Sequence, residues 1–323
     1  MKKHIPSIFN DVVGPIMRGP SSSHSAAALR IGRMCRDLMG GNLEKVEVHY
    51  DQNDALATTH ESQGSDMGMK GGILGFEADD PRLLELDKHL ADAGIEISFK
   101  IGDSGKSLPN LYQVELQNPE ERIRVEAIST GGGMIKILEI NGTAVSMMGD
   151  CFETLLWSKE SKVLLQIKEG CGWAEEKILY ESPKALLELR SYQAPDPAWI
   201  ESTRLNPDIL QLQVIQPVLP VLARGKDQVP FSSCEEMMIY HDPESQDPWE
   251  AALAYESARG GISREEVRTL MDRSFEVMRK GVESGLRGTD YQDRILGSQS
   301  PLYKAEMEKG KLSKDDALHR ITL

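Results

Sequence analysis

The chain has 323 residues, 40% of them hydrophobic, a length and composition that predict two or three ordinary cores in a soluble globular protein. A formal charge of −14 at pH 7 disfavours nucleic acid and anionic membranes as partners, and leaves small metabolites and other proteins. No apolar run reaches the roughly 18 residues needed to span a bilayer, and M-K-K-H-I-P-S-I-F-N-D lacks a signal-peptide core, so a cytoplasmic location is expected.

In chain order, Gly19-Pro20-Ser21-Ser22-Ser23-His24 runs into an amphipathic stretch from Ser25 to Met39, a helix that Gly40-Gly41 should end. A helix N-terminus offers unpaired amides and a partial positive charge. Ser21, Ser22 and Ser23 would add donors around one carboxylate or phosphate, with His24 as anion ligand or proton carrier. The competing reading is a cap at Ser23 or Ser25 with His24 on the surface, and the residues leave both open.

K-V-E-V-H-Y then alternates like a half-buried strand. Glu61-Ser62-Gln63-Gly64-Ser65-Asp66 follows, with glycines at 68, 71, 72 and 75. Asp66 or Ser65 can cap a helix there, and the glycines permit close backbone approach. His49 and His60 read as ordinary strand and helix residues. A leucine-rich helix is expected from Pro81 to Ala93, then strands at I-E-I-S-F-K-I, Y-Q-V-E-L and I-R-V-E-A-I-S. Ser129-Thr130-Gly131-Gly132-Gly133 is either a set of anion-facing amides or a turn. Asn141-Gly142 favours a hairpin, and the first domain closes near residue 149.

Between Cys151 and Val221 lie V-L-L-Q-I, a leucine-bearing helix around Pro183 to Ser191, and L-Q-L-Q-V-I before Pro217 and Pro220, a small α+β module. Ala223 to Pro230 has the composition of a linker, and helical patterning follows. Ser232 with Glu235 and Ser263 with Glu266 have capping-box spacing. The stripe Val267, Met271, Phe275, Met278, Val282 and Leu286 needs a partner to bury it, so self-association or docking is expected. The tail ends in what reads as the start of another helix. Cys35, Cys151, Cys171 and Cys234 are too scattered for a C-x-x-C pair and should be reduced and mostly buried. Trp157, Trp173, Trp199 and Trp249 read as core or interface residues. No nucleotide-binding, H-E-x-x-H or G-x-S-x-G signature is present.

Four signals share one order: G-P-S-S-S-H, a Gly-Ser-Asp loop leading to G-G-I-L-G-F, Pro109-Asn110, and S-T-G-G-G before I-K-I-L-E-I-N-G. Together, over roughly residues 6 to 148, they resemble the β-type domain of the iron–sulfur-dependent L-serine dehydratases (L-serine ammonia-lyases). F-S-S-C-E-E-M-M, F-E-V-M-R-K-G-V-E-S-G-L-R-G and L-G-S-Q-S-P-L-Y-K-A-E-M-E-K-G-K-L resemble the opening of that family's α-type, catalytic half. The segment between sits where many relatives carry an ACT regulatory domain, to which it is vaguely similar.

The resemblance implies an α/β (α+β) fold in three parts: a helix-covered mixed-sheet β-type domain over 1–149, a degenerate ACT-like α+β module and linker over 150–226, and a truncated α-type helical segment over 227–323. It implies a lyase of amino-acid metabolism that turns serine into pyruvate and ammonia with a [4Fe-4S] cluster and no pyridoxal phosphate. The cluster's cysteines belong to stretches unlike any here, so its ligands are not expected in this chain. The expected partners are a small amino-acid or carboxylate ligand, a separate α-type catalytic chain and further copies of this chain. The residues implied to orient the substrate carboxylate are Ser21, Ser22, Ser23, His24, Gln63, Ser65, Asp66, Asn110, Gly131, Gly132 and Gly133. In two places the chain departs from the family: Gln63 and Leu108 stand where histidines are usual, so either those histidines are dispensable or the ligand differs. The alternatives are a non-catalytic protein that senses a small carboxylate, and a lyase for another hydroxy or thiol amino acid.

Overall fold

The computed structural model describes residues 5–14, 16–222, 229–241, 247–288 and 297–310. The chain divides into two compact units, 1–262 and 263–323, and is of the α+β class expected.

The first unit holds a six-stranded sheet in the order β2-β1-β3-β4-β5-β6, formed by β1 (Lys45–Asp51), β2 (Glu96–Gly102), β3 (Leu111–Gln117), β4 (Arg122–Gly131), β5 (Met134–Ile140) and β6 (Thr143–Met147). Strands β1 and β2 run parallel and the other pairs antiparallel, so the sheet is mixed. The expected alternation is present: Val46, Val48 and Tyr50 of β1 point into the core, as do Val114 and Leu116 of β3. The β5–β6 hairpin turns on Asn141 (φ 49°) and Gly142 (φ 82°), the two left-handed residues that a type I′ turn requires.

Helix α1 (Ser22–Leu38) lays Ala27, Ala28, Ile31, Met34 and Leu38 on this sheet. Short α2 (Leu56–Thr59) leads to α3 (Ser65–Ile73), which crosses α1 with no side chains between the two backbones. A Cβ added at Gly68 would lie 2.0 Å from the Ser25 carbonyl oxygen, and one at Gly72 would lie 2.1 Å from that of Leu29. The helix expected over 81–93 is interrupted: a 3-10 turn at Pro81–Leu84, capped by Asp80, precedes α4 (Leu86–Ala93).

A second, antiparallel sheet has the order β10-β7-β9-β8, from β7 (Phe152–Ser158), β8 (Glu176–Tyr180), β9 (Ala185–Ser191) and β10 (Ile209–Ile215). Its Leu155, Trp157, Leu186 and Ile215 enter the same apolar core as α1 and the first sheet. Leu156, Leu187, Leu189 and Leu212 face the other way, under α5 (Ser161–Gly170) and α6 (Pro197–Arg204). The helix expected around Pro183 to Ser191 is therefore strand β9. Both faces of this strand are covered, so its sequence lacks the alternation that marks a half-exposed strand.

Where the two sheets meet, Glu153 and Glu188 are buried around one guanidinium. Arg190 Nε lies 2.5 Å from Glu188 Oε1 and 3.3 Å from Glu153 Oε2, and Nη2 donates to the Ser146 carbonyl at 2.6 Å. The Tyr180 hydroxyl donates to Glu188 at 2.7 Å. Burial, and then the neighbouring Glu188 carboxylate, push Glu153 well above the usual carboxylate range.

The first unit also contains α7 (Cys234–Tyr240) and α8 (Pro248–Gly260). The cap of α7 is displaced by one residue from its expected place: the Ser233 hydroxyl accepts from the Glu236 amide, and Glu236 takes the Ser232 N–H and O–H. Buried Glu256 of α8 holds the Ser7 hydroxyl at 2.5 Å and the Ile8 amide at 2.8 Å. In the second unit α9 (Arg264–Arg287) starts on the expected Ser263–Glu266 capping box and runs past Gly285 to end at Gly288, and α10 (Ser300–Glu308) follows. Phe275, Met278 and Val282 of α9 are more than half exposed. Most of the linker expected at 223–230, and the last part of the tail, lie outside the described residues. Among the described residues no helix is long and apolar enough to cross a membrane.

Candidate functional site

Helix α1 begins one residue after Ser21, which serves as its N-cap without donating or accepting a side-chain capping bond. The Ser21 hydroxyl instead meets His24 Nδ1 at 2.7 Å, and its amide donates to the Gln63 carbonyl at 3.2 Å. The Ser25 hydroxyl donates to the same carbonyl at 3.4 Å. Neither Ser23 nor Ser25 is thus the cap. Among the described residues no hydrogen bond takes the Ser22 or Ser23 side chain, and both residues lie in the first turn of the helix, where the leading amides lack helical partners.

The Gln63 carbonyl can reach α1 because Gly64 follows it in the left-handed region, at φ 83°. An added Cβ there would lie 2.5 Å from Ser25 Oγ, so glycine is needed for space as well as for conformation. Gly64, and neither Ser65 nor Asp66, caps α3. Ser65 is fully buried and its hydroxyl accepts from the Tyr112 hydroxyl at 3.4 Å. Both Asp66 carboxylate oxygens lie 2.8 Å from His60 Nδ1, and the Tyr50 hydroxyl donates to Asp66 Oδ1 at 3.3 Å. Burial raises Asp66 above the usual carboxylate range, while His60 and Tyr50 pull the other way. Burial pushes the Tyr112 phenol up to about 12. The Gln63 side-chain Oε1 is buried without a partner among the described residues.

Asn110 stands at φ 53° just before β3, and its carbonyl accepts from the Ser129 amide at 3.2 Å. Gly131, Gly132 and Gly133 have φ of 102°, 60° and 80°, a turn that joins β4 to β5. A Cβ on Gly133 would lie 3.3 Å from that of Ala26, so the turn backs onto the second turn of α1, and the Arg30 Nη1 donates to the Gly133 carbonyl. No neighbour lies within 4 Å of a Cβ built on Gly131 or Gly132. Strand register pairs His49 with Gln113, Leu111 with Ile128 and Gly131 with Met134, which places the ends of β1 and β4 and the starts of β3 and β5 at one end of the sheet.

Residues separated by more than a hundred positions are thus gathered at that end. Ser21 and Ser25 are bonded directly to the Gln63 segment, and Gly133 meets α1 lower down. The Asn110 backbone bonds to Ser129, whereas no hydrogen bond links its side chain to either serine or loop motif among the described residues.

Four residues at this end were not singled out for the site by the sequence: His60, Tyr50, Tyr112 and Arg30. His60 reaches Asp66 across a turn, at a spacing of six that the i+3, i+4 and i+7 pattern of a helix does not connect. Arg30 is buried, and burial, then Arg33, lowers its guanidinium to about 10. Its place among A-A-A-L-R-I-G, on the apolar side of an amphipathic helix, was the available clue.

The thiols do not fit a [4Fe-4S] cluster, which needs several cysteines around one site. Cys35 lies in the core shared by the two sheets and Cys171 in the core behind the second sheet, while Cys151 is buried beside Glu153 and Cys234 is exposed. Ligand atoms of Asp150, Cys151 and Glu153 lie within 4.8 Å of one another. There, however, Arg190 already pairs with Glu153, and burial holds the Cys151 thiol high.

No family model matches the chain. It is similar to the probable L-serine dehydratase beta chain of Bacillus subtilis (strain 168), 35% identical over 144 residues, which are 45% of this chain and 64% of that protein. It is also similar to the L-serine dehydratase beta chain of Peptoniphilus asaccharolyticus, 35% identical over 154 residues, 47% of this chain and 68% of that protein. The chain thus spans about two thirds of each relative, and more than half of it lies outside either match.

Proposed function

The chain belongs to the family of L-serine dehydratase beta chains, and from that premise we propose that it is the amino-acid-binding subunit of an L-serine dehydratase. In this reading it works with a separate α-type chain that carries the [4Fe-4S] cluster, and the assembly converts L-serine to pyruvate and ammonia. The observation that supports it best is the meeting of the Ser21–His24 helix start with the Gln63–Asp66 segment. Leading amides and the free Ser22 and Ser23 hydroxyls suit a carboxylate, and the adjoining His60–Asp66 pair suits the proton traffic of an elimination.

The scattered thiols favour a second reading, in which the same pocket senses a small carboxylate without chemistry. Anaerobic reconstitution with iron and sulfide, with and without an α-type chain, separates the two. Pyruvate is expected from L-serine only when both chains are present, and Ser22→Ala should weaken serine binding about threefold to tenfold, the worth of one hydrogen bond. Pyruvate from this chain alone, or none from the pair, overturns the proposal.

A further inference from the structure

Two imidazoles stand at the candidate site, and their surroundings differ. His24 Nδ1 meets only the hydroxyl of Ser21, a group that serves equally as donor or acceptor and therefore fixes neither tautomer nor charge. His60 Nδ1 faces both oxygens of the Asp66 carboxylate at 2.8 Å, which can only accept when ionised. The neutral ring must then carry its proton on Nδ1 and leave the lone pair on Nε2. Among the described residues Nε2 has no partner.

The ring is also held in place. Its centroid lies 5.0 Å from that of Tyr50 and 6.1 Å from that of Phe99, and 17% of the side chain stays exposed, so the ring is restrained without being sealed off. The charged and titratable groups around the pair are Asp66 at the start of α3, Glu61 on the same turn, Tyr50 on β1, Tyr112 on β3 and Asp54 before α2. None is a cation that would oppose an imidazolium. A carboxylate that orients one ring nitrogen and stabilises the imidazolium as it forms, with the second nitrogen open, is the arrangement general acid–base chemistry uses.

We propose that His60 is the proton carrier of this site, that Asp66 is its positioning residue, and that His24 only helps to hold the ligand. The inference rests on the function proposed above. The lone pair of His60 Nε2 takes the proton from the α-carbon of the bound amino acid. The pair of electrons left by that C–H bond forms the carbon–carbon double bond, and the β C–O bond breaks with its electrons leaving on oxygen as hydroxide. The imidazolium returns its proton to the hydroxide. For L-serine the products are aminoacrylate and water, the ring is regenerated, and no oxidant or reductant is consumed.

The test uses the chain assembled with its α-type partner, with pyruvate formation followed across pH. His60→Gln should lower kcat by about a hundredfold or more, leave KM within about threefold, and abolish the loss of rate at low pH that protonation of an imidazole imposes. Asp66→Asn should lower kcat less and displace that limb. His24→Gln should raise KM and keep the limb. His60→Gly should recover part of its rate with added imidazole, an outcome a merely structural histidine would not give. A wild-type assembly that makes no pyruvate fails the proposed function and this inference with it. An active assembly in which His60→Gln keeps both kcat and the acid limb, or in which His24→Gln loses the limb, overturns the inference alone.

Discussion

Buried Glu153 and Glu188, with the more exposed Glu176, set three carboxylates against the single guanidinium of Arg190, at the seam between the sheets. Burial raises the proton affinity of Glu153 in the folded chain above its value in the unfolded one. The folded state then keeps a proton that the unfolded state has released, so this residue's contribution is fully present below the usual carboxylate range and is lost progressively as pH rises above it. Glu153→Gln keeps a donor towards Glu188 and removes the titration. Its melting temperature should match that of the wild type near pH 4 and exceed it increasingly as pH rises above the usual carboxylate range, by the equivalent of about 1 kcal/mol. A variant that melts lower at every pH would show that the ionised form is the stabilising one. The His60–Asp66 contact belongs to the same scale and was illegible in sequence for a plain reason. Asp66 reads as a helix cap, whereas Gly64 takes that place and frees the carboxylate for an imidazole six positions away.

Between elements, the crossing of α1 and α3 depends on the absence of side chains. An alanine methyl at Gly68 or Gly72 would overlap a carbonyl oxygen of α1 at about half the normal contact distance, and backbone cannot step aside as a rotamer can. Gly68→Ala and Gly72→Ala should each cost about 3 kcal/mol or more in urea unfolding. Gly281→Ala, inside α9 with nothing within 4 Å, should instead stabilise by about 0.5–1 kcal/mol. Alternation and punctuation made some elements readable: β1 carries apolar residues at every second place, and the Asn141-Gly142 hairpin carries its own turn code. Strand β9 gave no such cue. A-L-L-E-L-R-S is covered on both faces, and its leucines fit a helix equally well until the partner strands are known.

At the scale of the molecule, the passage from β6 to β7 separates two sheets without separating two cores. Leu155, Trp157, Leu186 and Ile215 of the second sheet lie in one apolar body with Ile31, Met34 and Leu38 of α1. Gly149 adds to the seam, since a Cβ there would lie 2.4 Å from the Val218 side chain. A chain cut after residue 149 would uncover that body, and it should show no cooperative unfolding transition in urea, whereas residues 1–262 should retain one. A cooperative 1–149 fragment would mean that the seam contributes little. Sequence order was enough to foresee the meeting of the Ser21–His24 and Gln63–Asp66 stretches only as a resemblance; the bonds that join them run through backbone groups, which composition and periodicity do not record. The glycine crossing also bears on how the two loop motifs are held. Backbone resting on backbone has one setting, with no rotamers to re-sort, so the Ser25 and Leu29 carbonyls of α1 stand at a fixed distance from Gly68 and Gly72 of α3. The segments at the starts of these two helices, Ser21–His24 and Gln63–Asp66, are therefore set against each other by the frame of the fold and not by their own hydrogen bonds alone.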